Sequence, residues 1–179
     1  MKKILLTLAA LFTSYTYADN ELIEKATVLG ILKKYSETVA CSTNFEEQES
    51  LEPFLKNVYT VERDPDTGAA TYYILWEGDM GCPGGSGTYS YFVSEVSRYS
   101  KNRPFLVQNN EAFGEGVARE VNPRFIESLK KVDTNKFTLI SSEFTENDSN
   151  NFPSIKYEYI IQRKGQWAPW IVAKKNLIQ

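Results

Sequence analysis

The sequence predicts an α+β fold in which a long N-terminal helix packs on an antiparallel meander sheet. Three observations predict it. Apolar residues recur at three- and four-residue steps from Asn20 to Ala40, alternation of period two replaces that pattern from Asn57 onward, and aromatic residues make up 13% of the chain. Such a share suits pleated, half-buried surfaces.

The first segment reads as an export signal rather than as fold. Lys2 and Lys3 form a positive start, Ile4 to Phe12 an apolar run, and Thr16-Tyr17-Ala18 supplies the small residues that a signal peptidase needs. The expected division is a signal peptide over 1–18 and one α+β domain over 19–179, beginning at Asp19. The apolar run is too short to span a bilayer. The residue immediately after the cleavage point is Asp19 and not cysteine, so no lipoprotein anchor is expected, and the protein is expected to be periplasmic or secreted.

The helix over Asn20 to Ala40 is expected to bury Leu22, Ile23, Ala26, Leu29, Leu32, Tyr35 and Val39, with Glu24, Lys25, Lys33, Lys34 and Glu37 turned away. Gly30 either weakens it by about 1 kcal/mol or admits a close neighbour. The acidic stretch Phe45 to Glu52 reads as a loop. Val58 to Arg63 and Ala70 to Glu77 flank the turn Asp64-Pro65-Asp66-Thr67-Gly68 and form a hairpin. Thr88 to Ser97 is a third strand, with Tyr89, Tyr91 and Val93 on one side and Phe92 and Val96 on the other, and Pro104 to Gln108 a short fourth. Asn122-Pro123 is expected to open a second helix burying Phe125, Leu129 and Val132. Lys136 to Phe144, Ser154 to Arg163 and Pro169 to Ala173 are the closing strands. Resemblances between Trp76 to Asp79 and Phe144 to Asp148, and between Tyr89 to Val93 and Tyr157 to Ile161, suggest similar halves over 19–110 and 111–179.

Composition excludes several classes. Losing Lys2 and Lys3 takes 20 basic residues to 18 against 23 acidic ones, a net charge of −5. Nucleic acid and anionic membranes both reward positive charge, so neither is an expected partner. The chain has no histidine, which removes Ser-His-Asp and Cys-His catalysis and the usual zinc sites. Cys41 and Cys82, alone in an exported chain, are expected to form a structural disulfide.

The most unusual stretch is Gly78 to Thr88. It lacks the lysine of a phosphate-binding loop, and Thr88 stands where a Gly-x-Ser-x-Gly elbow needs glycine. Its glycines suit an anion-binding or recognition loop. Asp79, Gly84, Gly85, Ser86 and Gly87, together with Asp148, Asn150 and Asn151 of the second loop, are therefore the expected binding edge. Both Asp64-Pro65-Asp66 and the 146–151 stretch read as turns rather than calcium loops. No metal and no cofactor is expected. Trp76, Trp167, Trp170, Tyr157 and Tyr159 are candidates for a sugar or peptide groove.

The resulting expectation is an exported, non-catalytic protein that binds another envelope or secreted protein, as an inhibitor or immunity-type protein acting on an envelope enzyme or toxin. The alternatives are a small-molecule or glycan-binding module, and a histidine-free hydrolase working through carboxylates.

Overall fold

The computed structural model describes the chain apart from residues 1, 47, 83–86, 150 and 179, and for residues 2–19 it describes the backbone without side chains. Its described residues form one long helix and nine strands in two antiparallel sheets. The helix, α1, spans Lys2–Val39. Sheet A is built from β1 (Ala40–Thr43), β2 (Val58–Arg63), β3 (Ala70–Met80), β4 (Ser90–Arg98) and β5 (Leu106–Asn109). Sheet B is the meander β6 (Ile126–Asp133), β7 (Lys136–Glu143), β8 (Ile155–Gln162) and β9 (Ile171–Leu177). Among the described residues no helix is long and apolar enough to cross a membrane.

The layers follow from the sequence of β3. Its run Tyr72 to Trp76 is buried at every position, the mark of a strand covered on both faces. Tyr72, Ile74 and Trp76 face α1, where they meet Val28, Leu29, Leu32, Phe45 and Val96. Tyr73 and Leu75 face sheet B, where they join Phe137, Leu139, Tyr159 and Trp170. Sheet A is thus sandwiched between the helix and sheet B. Gly78 is required by this packing, because a Cβ there would lie 2.9 Å from both the Ser42 carbonyl and the Trp76 ring.

β3 is also the axis of sheet A. β4 pairs along it from Ala70↔Arg98 to Gly78↔Ser90, β2 pairs with its first half through Val58↔Ile74, and β1 with its last residues through Ala40↔Met80. The Cys41–Cys82 disulfide closes across that last pairing with Cα atoms 5.2 Å apart. A short helix, α2 (Gly114–Ala118), carries Val117 into the inter-sheet core beside Phe113.

The structure corrects the sequence reading in two places and decides between two alternatives in a third. The second helix is absent: Asn122 caps a single 3-10 turn over Pro123–Phe125, and β6 follows at once. Ile126 and Leu129 look helical because a bulge between Ile126 and Ser128 inserts an extra residue, so two positions three apart face one core. Val132, expected inside, is exposed. The second correction concerns α1, whose middle turns present Glu21, Glu24 and Lys25 to sheet A while Leu22, Ile23 and Ala26 are exposed. The cause is charge: Arg63 and Arg98 on the sheet both pair with Glu24. The alternatives for Gly30 are decided by its surroundings: a Cβ there would find nothing within 4 Å, so no neighbour needs the room and the weaker-helix alternative holds.

Candidate functional site

β3 is 11 residues long, so its two ends lie roughly 33 Å apart at about 3.3 Å per residue. The loops singled out in the sequence gather at the Met80 end, and a cleft opens at the Ala70 end.

At the loop end the backbone turns sharply after β3 through two left-handed residues, Gly81 at φ 75° and Cys82 at φ 54°. Gly84, Gly85, Ser86 and Asn150 lie outside the described residues. Gly87 lies against Arg124, whose guanidinium would be 3.3 Å from a Cβ added there. Arg124 Nη2 in turn donates to Asn151 Oδ1 at 2.8 Å. One arginine therefore touches both loops, and it was not among the residues singled out in the sequence. It is aimed by the Asn122 side chain, which accepts from the Arg124 amide at 3.1 Å. Asp148 serves its own loop: it accepts from the Thr145 and Ser154 amides at 2.7 and 2.9 Å and from the Ser154 hydroxyl at 3.0 Å. Those bonds, the Thr145 amide foremost, hold its carboxyl down at about 2. Asp79 is half-buried, with one carboxylate oxygen that has no hydrogen-bond partner among the described residues.

The cleft has a volume of about 920 Å³ and is lined by β2, the start of β3, the end of β4 and the segment from Arg163 to Trp170. Two aromatic side chains stand at it with their faces free: Tyr99 is 79% exposed and Trp167 92%. Tyr73 and Trp170 form the buried wall, joined by a bond from Trp170 Nε1 to the Tyr73 hydroxyl at 3.0 Å. The Arg163 guanidinium stacks 4.7 Å from the Trp170 ring. It also pairs with Glu62 at 3.2 Å, and the Gln166 amide donates to Glu62 at 2.6 Å.

Glu95 differs from these groups. It projects from β4 into the cleft lining and makes no hydrogen bond or ion pair among the described residues. Burial pushes its carboxyl above the usual range, against the pull of Arg163 and with a smaller push from Glu62. Sequence reasoning passed over it, although a signal existed: on a period-two strand Glu95 shares the face of Tyr91 and Val93, which point into the inter-sheet core.

The five aromatic residues proposed for a groove are dispersed. Trp76 lies under α1, Trp170 and Tyr159 are inter-sheet core, and Tyr157 packs at the edge of that core. Only Trp167 and Trp170 reach the cleft. Among the described residues no group of three or more acidic or cysteine side chains is placed to hold a metal ion. Comparison with known proteins finds no matching family model, no matching curated protein and no matching solved structure.

Proposed function

We propose that the chain is an exported, non-catalytic binding protein that takes a small molecule or glycan in the cleft. The observation that carries this reading is the conjunction of exposed Trp167 and Tyr99 with the unbonded Glu95 carboxyl in one cavity. Aromatic faces with a few convergent polar groups, one of them with a perturbed pKa, are the usual makeup of a ligand pocket. Its volume falls within the range of roughly 300–1,000 Å³ typical of such sites. The disulfide is compatible with an oxidising compartment. A binding role is favoured over hydrolysis because Glu62, the carboxylate nearest in kind to a catalytic partner for Glu95, is engaged by Arg163 and Gln166.

The test is tryptophan fluorescence against a panel of neutral and charged oligosaccharides and small metabolites. Saturable quenching that disappears in Trp167→Ala is the expected result. A panel that leaves both emission and melting temperature unchanged refutes the reading.

A second reading, an inhibitor or immunity-type protein that meets an envelope protein with its loop end, is favoured by the contact of Arg124 with both loops. On that reading Arg124→Ala weakens capture of a one-to-one partner from envelope extract. Capture unaffected by that change removes the loop end from consideration.

A further inference from the structure

We propose that the cleft selects a primary ammonium group, with Glu95 as its counter-ion and the faces of Trp167 and Tyr99 covering the carbon skeleton that bears it. The inference rests on the cleft being the binding site and adds the chemistry of what it takes.

The argument is one of elimination among the charged groups that line the cavity. Arg63 and Arg98 donate to the Glu24 carboxylate at 2.8 and 2.5 Å. Arg163 and Glu62 pair with each other. Asp64 is held in its turn by the amides of Asp66 and Thr67 and by the Thr67 hydroxyl. Glu95 alone among these six makes no bond, so the charge left for a ligand is negative. The Glu95 carboxylate is half-buried yet its oxygens are not sealed from the cleft, so a donor carried by a ligand can reach them.

An anionic ligand would meet Glu95 with no arginine released to receive it. A neutral hydroxyl would bond, but a charge-assisted bond is roughly twice as strong. Cations are also attracted to the faces of tryptophan and tyrosine, and the same wall already stacks one, the Arg163 guanidinium on Trp170. A quaternary ammonium would leave Glu95 without an N–H, which points to a primary amine. Both an amino sugar and a lysine side chain carry this group.

The test uses the mature, disulfide-intact chain and calorimetric titration at about physiological ionic strength, where surface attraction is screened beyond about 8 Å. The probes are the tetrasaccharide of glucosamine, its fully N-acetylated counterpart, and Nα-acetyl-lysine amide. The deacetylated sugar is expected to bind at least ten-fold more tightly than the acetylated one, and Glu95→Gln is expected to abolish that preference. Trp167→Ala should weaken both sugars. Lysine amide binding as well as the glucosamine tetramer marks a site for the amine itself; binding by the tetramer alone marks an amino-sugar site. Equal affinity for the two sugars overturns the ammonium inference and leaves the cleft reading standing. Binding of the deacetylated sugar that survives both variants is attraction to the acidic surface and also overturns it. No binding by any probe, with Trp167 emission unchanged, removes both.

Discussion

Glu24 fastens α1 to sheet A, and removing its carboxylate is expected to cost about 3 kcal/mol. The carboxylate accepts from Arg63 Nε at 2.8 Å, Tyr72 Oη at 2.7 Å and Arg98 Nη2 at 2.5 Å. Glu24→Ala removes the carboxylate that two guanidinium groups and a hydroxyl share at the helix–sheet junction. Breaking a buried charge pair costs about 3–5 kcal/mol, and the Glu24 side chain retains 16% exposure, which sets the effect at the lower end. At about 2–4 °C per kcal/mol for a chain of this size, the melting temperature should fall by about 6–12 °C. Glu115→Ala is the control, since the Arg119–Glu115 pair is 78% and 82% exposed and such pairs contribute about 0.5 kcal/mol or less.

The pH dependence supplies an independent reading of the same group. Burial raises the Glu24 carboxyl, but the bonds from Arg63 and Tyr72 and the charges of Arg63 and Arg98 outweigh it, so the folded value lies below 4.5. A carboxyl lowered by folding stabilises fully above its unfolded pKa, and that stabilisation is lost as pH falls through the folded one. Chemical denaturation from pH 7 to pH 3 should therefore show a steeper acid decline for the parent than for Glu24→Gln. Glu24→Ala melting within 1–2 °C of the Glu115→Ala control, or parallel acid profiles for parent and Glu24→Gln, would refute the reasoning, because about 3 kcal/mol cannot hide in so small a shift.

Four further outcomes are expected. Gly30→Ala should stabilise α1 by about 1 kcal/mol, raising the melting temperature by a few degrees, since nothing lies within 4 Å of the added methyl; a drop would mean that the helix face there is occupied. Reducing the Cys41–Cys82 disulfide, which joins residues 41 apart, should lower unfolding free energy by roughly 4 kcal/mol in the chain-entropy model, read from urea curves with and without reductant. Glu95→Gln should raise stability at neutral pH and leave it unchanged near pH 3: the folded carboxyl lies above 4.5, so its penalty exists above that range and fades as pH falls through it. N-terminal sequencing of material from the cell envelope should begin Asp19-Asn20-Glu21; retention of Met1 excludes cleavage after Ala18.

Much of the fold was legible because the period of each element is set by its own covered face. The hairpin around Asp64 to Gly68 and the alternation of Phe92 and Val96 against Tyr91 and Val93 read correctly, since each residue's neighbours lie across a regular ladder. β6 misled because its bulges break that ladder and imitate a helical step. The face of α1 misled because hydrophobicity alone ignores what opposes it. Two arginines on sheet A draw Glu24 inward and leave Leu22 and Ile23 in solvent. The continuous apolar run in β3 carried the three-layer arrangement, yet a run covered on both faces shows no alternation by which to assign it.

The cleft was less legible than the loop end, and the reason lies in how each is assembled. Glycines and turn-forming acids draw the eye in a sequence, yet Asp148 spends its carboxylate on its own loop and Asn151 is engaged by Arg124. Asp79, by contrast, keeps one carboxylate oxygen without a partner among the described residues. The cleft is assembled from strand ends and loops far apart in sequence, none conspicuous alone. What distinguishes it is a rule broken locally: an acid on the core-facing register of β4, unbonded, beside aromatic faces left in solvent. Local violations that the surrounding structure tolerates are where a binding or catalytic role is expected to lie. On that ground Glu95, Trp167 and Tyr99 deserve mutation before any glycine of the loop end.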